Sequence, residues 1–109
     1  MATTTYKVLG QVAPSATTET DLYSAPSGQV IVSTLTVCNR SATQTTFRVS
    51  VSVGGGATAN KDYIYYDLII GGNDTFAATM GITLSTGDKI KVYAGAATLS
   101  FNLFGQEIT

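Results

Sequence analysis

Seven carboxylates, six basic side chains, six tyrosines and a single cysteine are the groups in this chain that could do chemistry. Histidine, the side chain that changes charge near neutral pH, is absent. Acid–base catalysis would fall to Glu19, Asp21, Asp62, Asp67, Asp74, Asp88 and Glu107, or to a lysine or tyrosine of displaced pKa. Most of these carboxylates flank turns. Asp74 and Asp88 follow GGN and STG, where Asp is favoured because its side chain hydrogen-bonds the local backbone. A glycosidase needs two carboxylates facing each other across a cleft, and a chain of 109 residues has no insertion with which to build one. No catalytic residue is assigned, and an enzyme is not expected.

Metal and phosphate chemistry find no better footing. Asp62, Asp67, Asn73 and Asp74 could meet between loops as calcium ligands, but their spacing matches no known ligand order. Cys38 has neither a second cysteine nor a histidine with which to share a zinc ion, and within VSTLTVCNR it reads as a small core residue. Gly54, Gly55 and Gly56 are followed by no Lys-Ser or Lys-Thr pair, so they are not a phosphate loop. No metal and no cofactor are expected.

Charge is scarce. Charged residues make up 12% of the chain against a typical value of about 25%, with Thr, Ser, Asn and Gly in their place. The net charge is -1, and Lys7, Arg40, Arg48, Lys61, Lys89 and Lys91 are dispersed, which argues against nucleic acid or an anionic membrane as partner. A surface so poor in charge resists association weakly, so much of it is expected to be covered by other subunits. MATTTYKVLG has no basic segment followed by an apolar run, and no run is long enough to span a membrane. The expectation is synthesis and folding in a cytoplasm, where the sequons at Asn39 and Asn73 carry no glycan.

The elements that must position these groups alternate with period two, and none repeats at helical spacing for longer than about a turn. TYKVLGQV places Tyr6 and Val8 on one face, and ETDLYSAP leads into a turn at Pro26, Ser27 and Gly28. QVIVSTLTVCN follows, rich in β-branched residues. In TTFRVSVSVGGG, Phe47, Val49, Val51 and Val53 oppose Arg48, Ser50 and Ser52 before three glycines stop the strand. KDYIYYDLII, TFAATMGITL, KIKVYA and TLSFNLF complete the series, separated by turn signals. The expected fold is all-β: a single sandwich of about eight antiparallel strands, jelly-roll or immunoglobulin-like. Residues 1–5 are expected to form an N-terminal arm, residues 6–109 the single domain, and the loop 54–60 to be flexible or ordered by a partner.

Two segments depart from half-buried patterning. Strict alternation in KDYIYYDLII sets Tyr63, Tyr65, Asp67 and Ile69 against Ile64, Tyr66, Leu68 and Ile70, so both faces are largely apolar or aromatic. Such a strand is either covered on both sides within the domain or lies at a subunit interface. In the last strand Phe104 breaks phase with Leu99, Phe101 and Leu103, so either a bulge at Gly105 turns its ring inward or the ring covers a second surface. Tyr63, Tyr65, Tyr66 and Phe104 are therefore the candidate interface residues for self-association or for a larger assembly. The aromatics of DYIYYD would also suit a sugar platform, a reading weakened by the absence of Trp.

The succession YKVLGQ, ATTETDLYSAPSGQVIVSTLTVCNRS, TTFRVSV, ITLSTGDKIKVYAG and LSFNLFGQEIT resembles that of small structural proteins of tailed bacteriophages, especially those infecting cyanobacteria and marine bacteria. The likeness spans nearly the whole chain. It is carried by the order and spacing of strand-and-turn patterns, with YSAPSG departing from a pattern that prefers Thr-Val before the proline. It implies a β-sandwich block present in many copies on the virion and assembled in the host cytoplasm, without fixing its place on the particle; the uncharged, Thr-rich surface and the small size favour a capsid decoration, or cement, protein. Its implied partners are the major capsid protein and itself, as a homotrimer, with other virion proteins as further contacts. A neck, tail or baseplate accessory protein is the structural alternative, and a carbohydrate-binding adsorption module is the alternative of a different class.

Overall fold

The computed structural model describes residues 3–109, which form eight strands: β1 (Thr4–Val12), β2 (Thr20–Ser24), β3 (Gln29–Asn39), β4 (Thr45–Ser52), β5 (Tyr63–Ile70), β6 (Thr75–Ser85), β7 (Lys89–Ala94) and β8 (Leu99–Ile108). They make two four-stranded sheets, ordered β1-β8-β3-β6 and β2-β7-β4-β5, in which all strand pairs are antiparallel. Two equal sheets with this crossing order form a jelly roll, whereas immunoglobulin topology divides its strands unequally. The sandwich expected from the alternating pattern is present, and the strand order decides its type.

Alternation places the core. Val30, Val32, Leu35 and Val37 of β3, Phe47 and Val49 of β4, Ile90, Val92 and Ala94 of β7, and Leu99, Phe101 and Leu103 of β8 are buried between the sheets. Phe47 is fully buried, with its ring 5.4 Å from that of Phe76, 6.1 Å from Phe101 and 6.2 Å from Tyr65, centroid to centroid. Tilted and edge-on arrangements of this kind are preferred by the ring quadrupoles.

Bulges interrupt the alternation and decide what faces outward. Val32 and Leu35 both point inward because the ladder shifts at Ser33, and β1 shifts at Leu9. These shifts lie in the partners of β8, so β8 itself keeps phase: Leu103 is buried while Phe104, paired with Val8, faces outward. The Phe104 ring is therefore not turned inward by a bulge at Gly105. Gly105 returns to the inner face, where a Cβ would lie 2.2 Å from the Ile31 carbonyl oxygen, so only glycine fits.

The two-faced reading of KDYIYYDLII changes more. Val49 pairs with Tyr65 but Phe47 pairs with Leu68, and Asp67 takes a positive φ of 51°, so an extra residue is accommodated there. A second shift separates the pairings of Tyr65 and Tyr63. As a result Tyr65, Leu68 and Ile70 share the core side, while Tyr63, Tyr66 and Ile69 do not.

Two loop expectations also change. Thr4 and Thr5, assigned to an arm, belong to β1 opposite Ile108 and Glu107, and Thr3 exchanges backbone hydrogen bonds with Thr109. Met1 and Ala2 of that arm lie outside the described residues. The loop after β4 contains two short 3-10 turns, Val53–Gly55 and Asn60–Asp62, and is held by its own domain. The Gly54 N–H donates to Asp88 Oδ1 at 2.8 Å, the Thr58 hydroxyl to Glu19 at 2.8 Å, and both Ser52 Oγ and Lys91 Nζ donate to the Gly56 carbonyl. It lies across the outer side of its sheet and buries Ser50 and Ser52 there.

Truncating Phe47→Ala removes the ring shared by both sheets, and we expect a loss of about 3–5 kcal/mol in unfolding free energy, measured by urea denaturation.

Candidate binding surface

The outer side of the β2-β7-β4-β5 sheet carries a cluster of aromatic and charged groups. Arg48 projects from β4, and its guanidinium carbon sits 4.3 Å from the ring centroids of both Tyr66 on β5 and Tyr93 on β7. The register puts Arg48 directly opposite Tyr93, and the bulge at Asp67 carries that carboxylate outward to meet the guanidinium. Nε donates to Oδ1 at 2.7 Å and Nη2 to Oδ2 at 3.4 Å. This hydrogen bond raises the pKa of Arg48 above its already high ordinary value, so its charge is permanent. The ring of Tyr63 meets that of Tyr66 edge-on at 4.8 Å. Tyr66 remains 58% exposed, with exposed Ile64 and Ile69 on the same strand.

Tyrosine and arginine are residue types that contribute strongly to binding energy at protein interfaces, and here stacking holds their rotamers. Sequence reasoning named two members of the cluster, Tyr63 and Tyr66. Tyr65 instead packs against Phe47 and Phe76 in the core, and Phe104 lies on the outer side of the opposite sheet, so the four candidates do not form one surface. Arg48 and Tyr93 were missed because they are far apart in the chain and meet only through the β4–β7 register.

The carboxylates are occupied structurally. Asp88 accepts backbone N–H bonds from Gly54 and Ser85, which hold its pKa below the ordinary value, and Asp62 is lowered in the same way by the Ala59 N–H. Asp74 accepts from the Thr75 N–H, Asp21 pairs with Lys89 at 3.0 Å, and Glu19 lies 3.9 Å from Lys91. Glu107 of β8 accepts the phenolic hydrogen of Tyr23 of β2 and pairs with Lys7, so one carboxylate ties the two sheets together. That bond is the main cause of its lowered pKa, while burial first and Glu107 second raise that of Tyr23. Among the described residues no three His, Cys, Asp or Glu side chains are grouped to hold a metal ion. Cys38 is partly exposed on the outer side of β3 and is not a core residue: Val37 takes the inward position beside it.

Two shallow hollows lie on the β1-β8-β3-β6 sheet. One of 420 Å³ is bounded by Gln11, Val12, Ala13, Ser100, Phe101 and Asn102, the other of 300 Å³ by Tyr6, Ile31, Ser33, Gly105 and Gln106. Neither contains a carboxylate or a basic group.

The chain matches no protein-family model, and comparison with curated proteins returns no match.

The displaced groups set a pH profile. Asp62, Asp88 and Glu107 have folded pKa values below their ordinary 3.8, 3.8 and 4.5, so they contribute stability above those values that is lost as pH falls through the lower folded ones. Tyr23 is raised above its ordinary 10.0, so its contribution is present below that pH and is lost as the solution becomes more alkaline. Thermal melts should show a plateau between about pH 5 and pH 9 with both limbs falling. Tyr23→Phe should remove the Tyr23 contribution to the alkaline limb and weaken the acid limb, because Glu107 loses its main stabilising partner.

Proposed function

We propose that this chain is a virion structural protein of a tailed bacteriophage, a capsid decoration protein that binds the assembled head as a homo-oligomer and stabilises it. The observation that carries a binding role is the stacked Tyr66–Arg48–Tyr93 cluster, exposed on a small domain whose carboxylates are taken up by turns, loops and ion pairs. The virion assignment is supported by the resemblance in strand-and-turn order from YKVLGQ to LSFNLFGQEIT.

The mechanism is geometric. An oligomer that touches several capsid subunits forms its first contact in solution and the rest at high effective concentration, so individually modest interfaces hold firmly together. Because it binds the assembled shell and not its free subunits, its binding free energy is added to the stability of that shell. Tyr66, Arg48 and the neighbouring isoleucines are the residues proposed to meet the capsid surface.

In purified virions, quantitative mass spectrometry should find a copy number comparable to that of the major capsid protein. A number close to that of portal or tail proteins would move the chain to the neck, tail or baseplate. The isolated protein should bind mature, undecorated capsids saturably, and Tyr66→Ala should weaken that binding about tenfold or more with the fold unchanged by circular dichroism. Failure of the unaltered protein to bind any capsid form would overturn the proposal.

A further inference from the structure

The two sheets differ in a way that the proposed function does not require. Within β1, β3, β6 and β8 the charged residues are Lys7 and Glu107, which pair with each other at 3.3 Å, and Glu107 also bonds Tyr23 of the opposite sheet. The outward positions of this sheet are therefore uncharged along all four strands. Threonine, serine, glutamine and asparagine surround an apolar strip made by Tyr6, Val8, Phe104 and Ile31, with Tyr6 79% and Val8 47% exposed. The other sheet carries Arg48, Asp67, Lys89 and Lys91, and the chain's own loop of residues 53–62 covers part of it.

Natural β-proteins guard exposed sheet edges with charge, proline, short length or bulges. Strand β2 is five residues long and contains Asp21, β5 is bulged at Asp67, and β1 carries Lys7 and the shift at Leu9. Edge strand β6 is eleven residues long and has neither a charged residue nor a proline. Its ladder with β3 is irregular near Gly81, but otherwise it lies open at the border of the uncharged face.

We infer that the outer face of the β1-β8-β3-β6 sheet is the self-association surface of this protein, occupied by the same face of a second copy. A neutral face offers nothing for a charged partner to complement, but it is its own electrostatic complement, because a two-fold axis brings no like charges together. Its extent is also adequate. Four strands at about 4.8 Å and some ten residues at about 3.3 Å span a plane of roughly 600 Å², before side-chain relief, against about 800 Å² per partner in a standard interface. The exposed Tyr6 ring and the neighbouring 300 Å³ hollow lined by Ile31, Ser33 and Gly105 provide relief for such a contact.

Sedimentation equilibrium of the isolated protein tests this, independently of any virion. The unaltered chain should sediment as a dimer, since a two-fold contact between identical faces closes at two copies, with slower alkylation of Cys38, which lies on this face, as protein concentration rises. Thr36→Lys and Thr79→Lys should each raise the dissociation constant at least about tenfold, while Val53→Lys, at an exposed position of the loop over the other sheet, should leave it unchanged. Thr79 is exposed on the edge strand, so its substitution tests the interface even if Thr36→Lys impairs folding. A monomer at every concentration, or an oligomer that survives Thr79→Lys, would overturn the inference. An oligomer that behaves as expected but binds no capsid would leave the inference standing and remove the proposed function.

Discussion

Every surface on this molecule depends on the contact between the inner faces of its two sheets. That contact is a layer of aliphatic side chains with the Phe47 ring at its centre, reaching Phe76 and Phe101 across the sandwich and Tyr65 beside it. Hydrogen bonds within each sheet satisfy the backbone but do not join one sheet to the other, so apolar burial must do so. Polar ties reinforce it at one end, where Tyr23 and Lys7 converge on Glu107. Once the inner faces are committed, the remaining residues of each strand have only the outside to occupy, and the character of each outer surface follows.

Bulges adjust that division. Without the extra residue at Asp67, alternation would send Asp67 to the same side as Tyr65 and Leu68 to the outside. With it, the core keeps Tyr65, Leu68 and Ile70, and a carboxylate emerges where Arg48 can bind it. The same irregularity thus completes the core and assembles the stacked cluster. A bulged, charged edge is also poorly suited to pairing with another strand, so the device that assembles the stacked cluster protects that edge from β-sheet extension.

Charge is distributed as unevenly as it is scarce. The ionised groups in strands gather on the β2-β7-β4-β5 sheet, where they pair across strands and clamp the loop of residues 53–62 over Ser50 and Ser52. The other sheet has a broad neutral exterior. A protein with one patterned, charged side and one neutral side presents two surfaces of different recognition chemistry.

The sequence by itself determined the all-β class, the approximate strand count, the turns and most of the core, because period-two alternation and turn residues are local properties of neighbouring residues. It also showed that histidine is absent and that charged residues are scarce and dispersed. The tertiary structure alone decided the jelly-roll order, the inward place of Tyr65, the outward places of Phe104 and Cys38, and the ordering of the 53–62 loop by Asp88 and Lys91. It also brought Arg48 to Tyr93, since cross-strand register joins residues forty-five positions apart and no spacing along the chain encodes it. Bulges are the physical reason for the remaining differences: one extra residue reverses every face assignment beyond it, and the positive φ of Asp67 lies at such a shift in register.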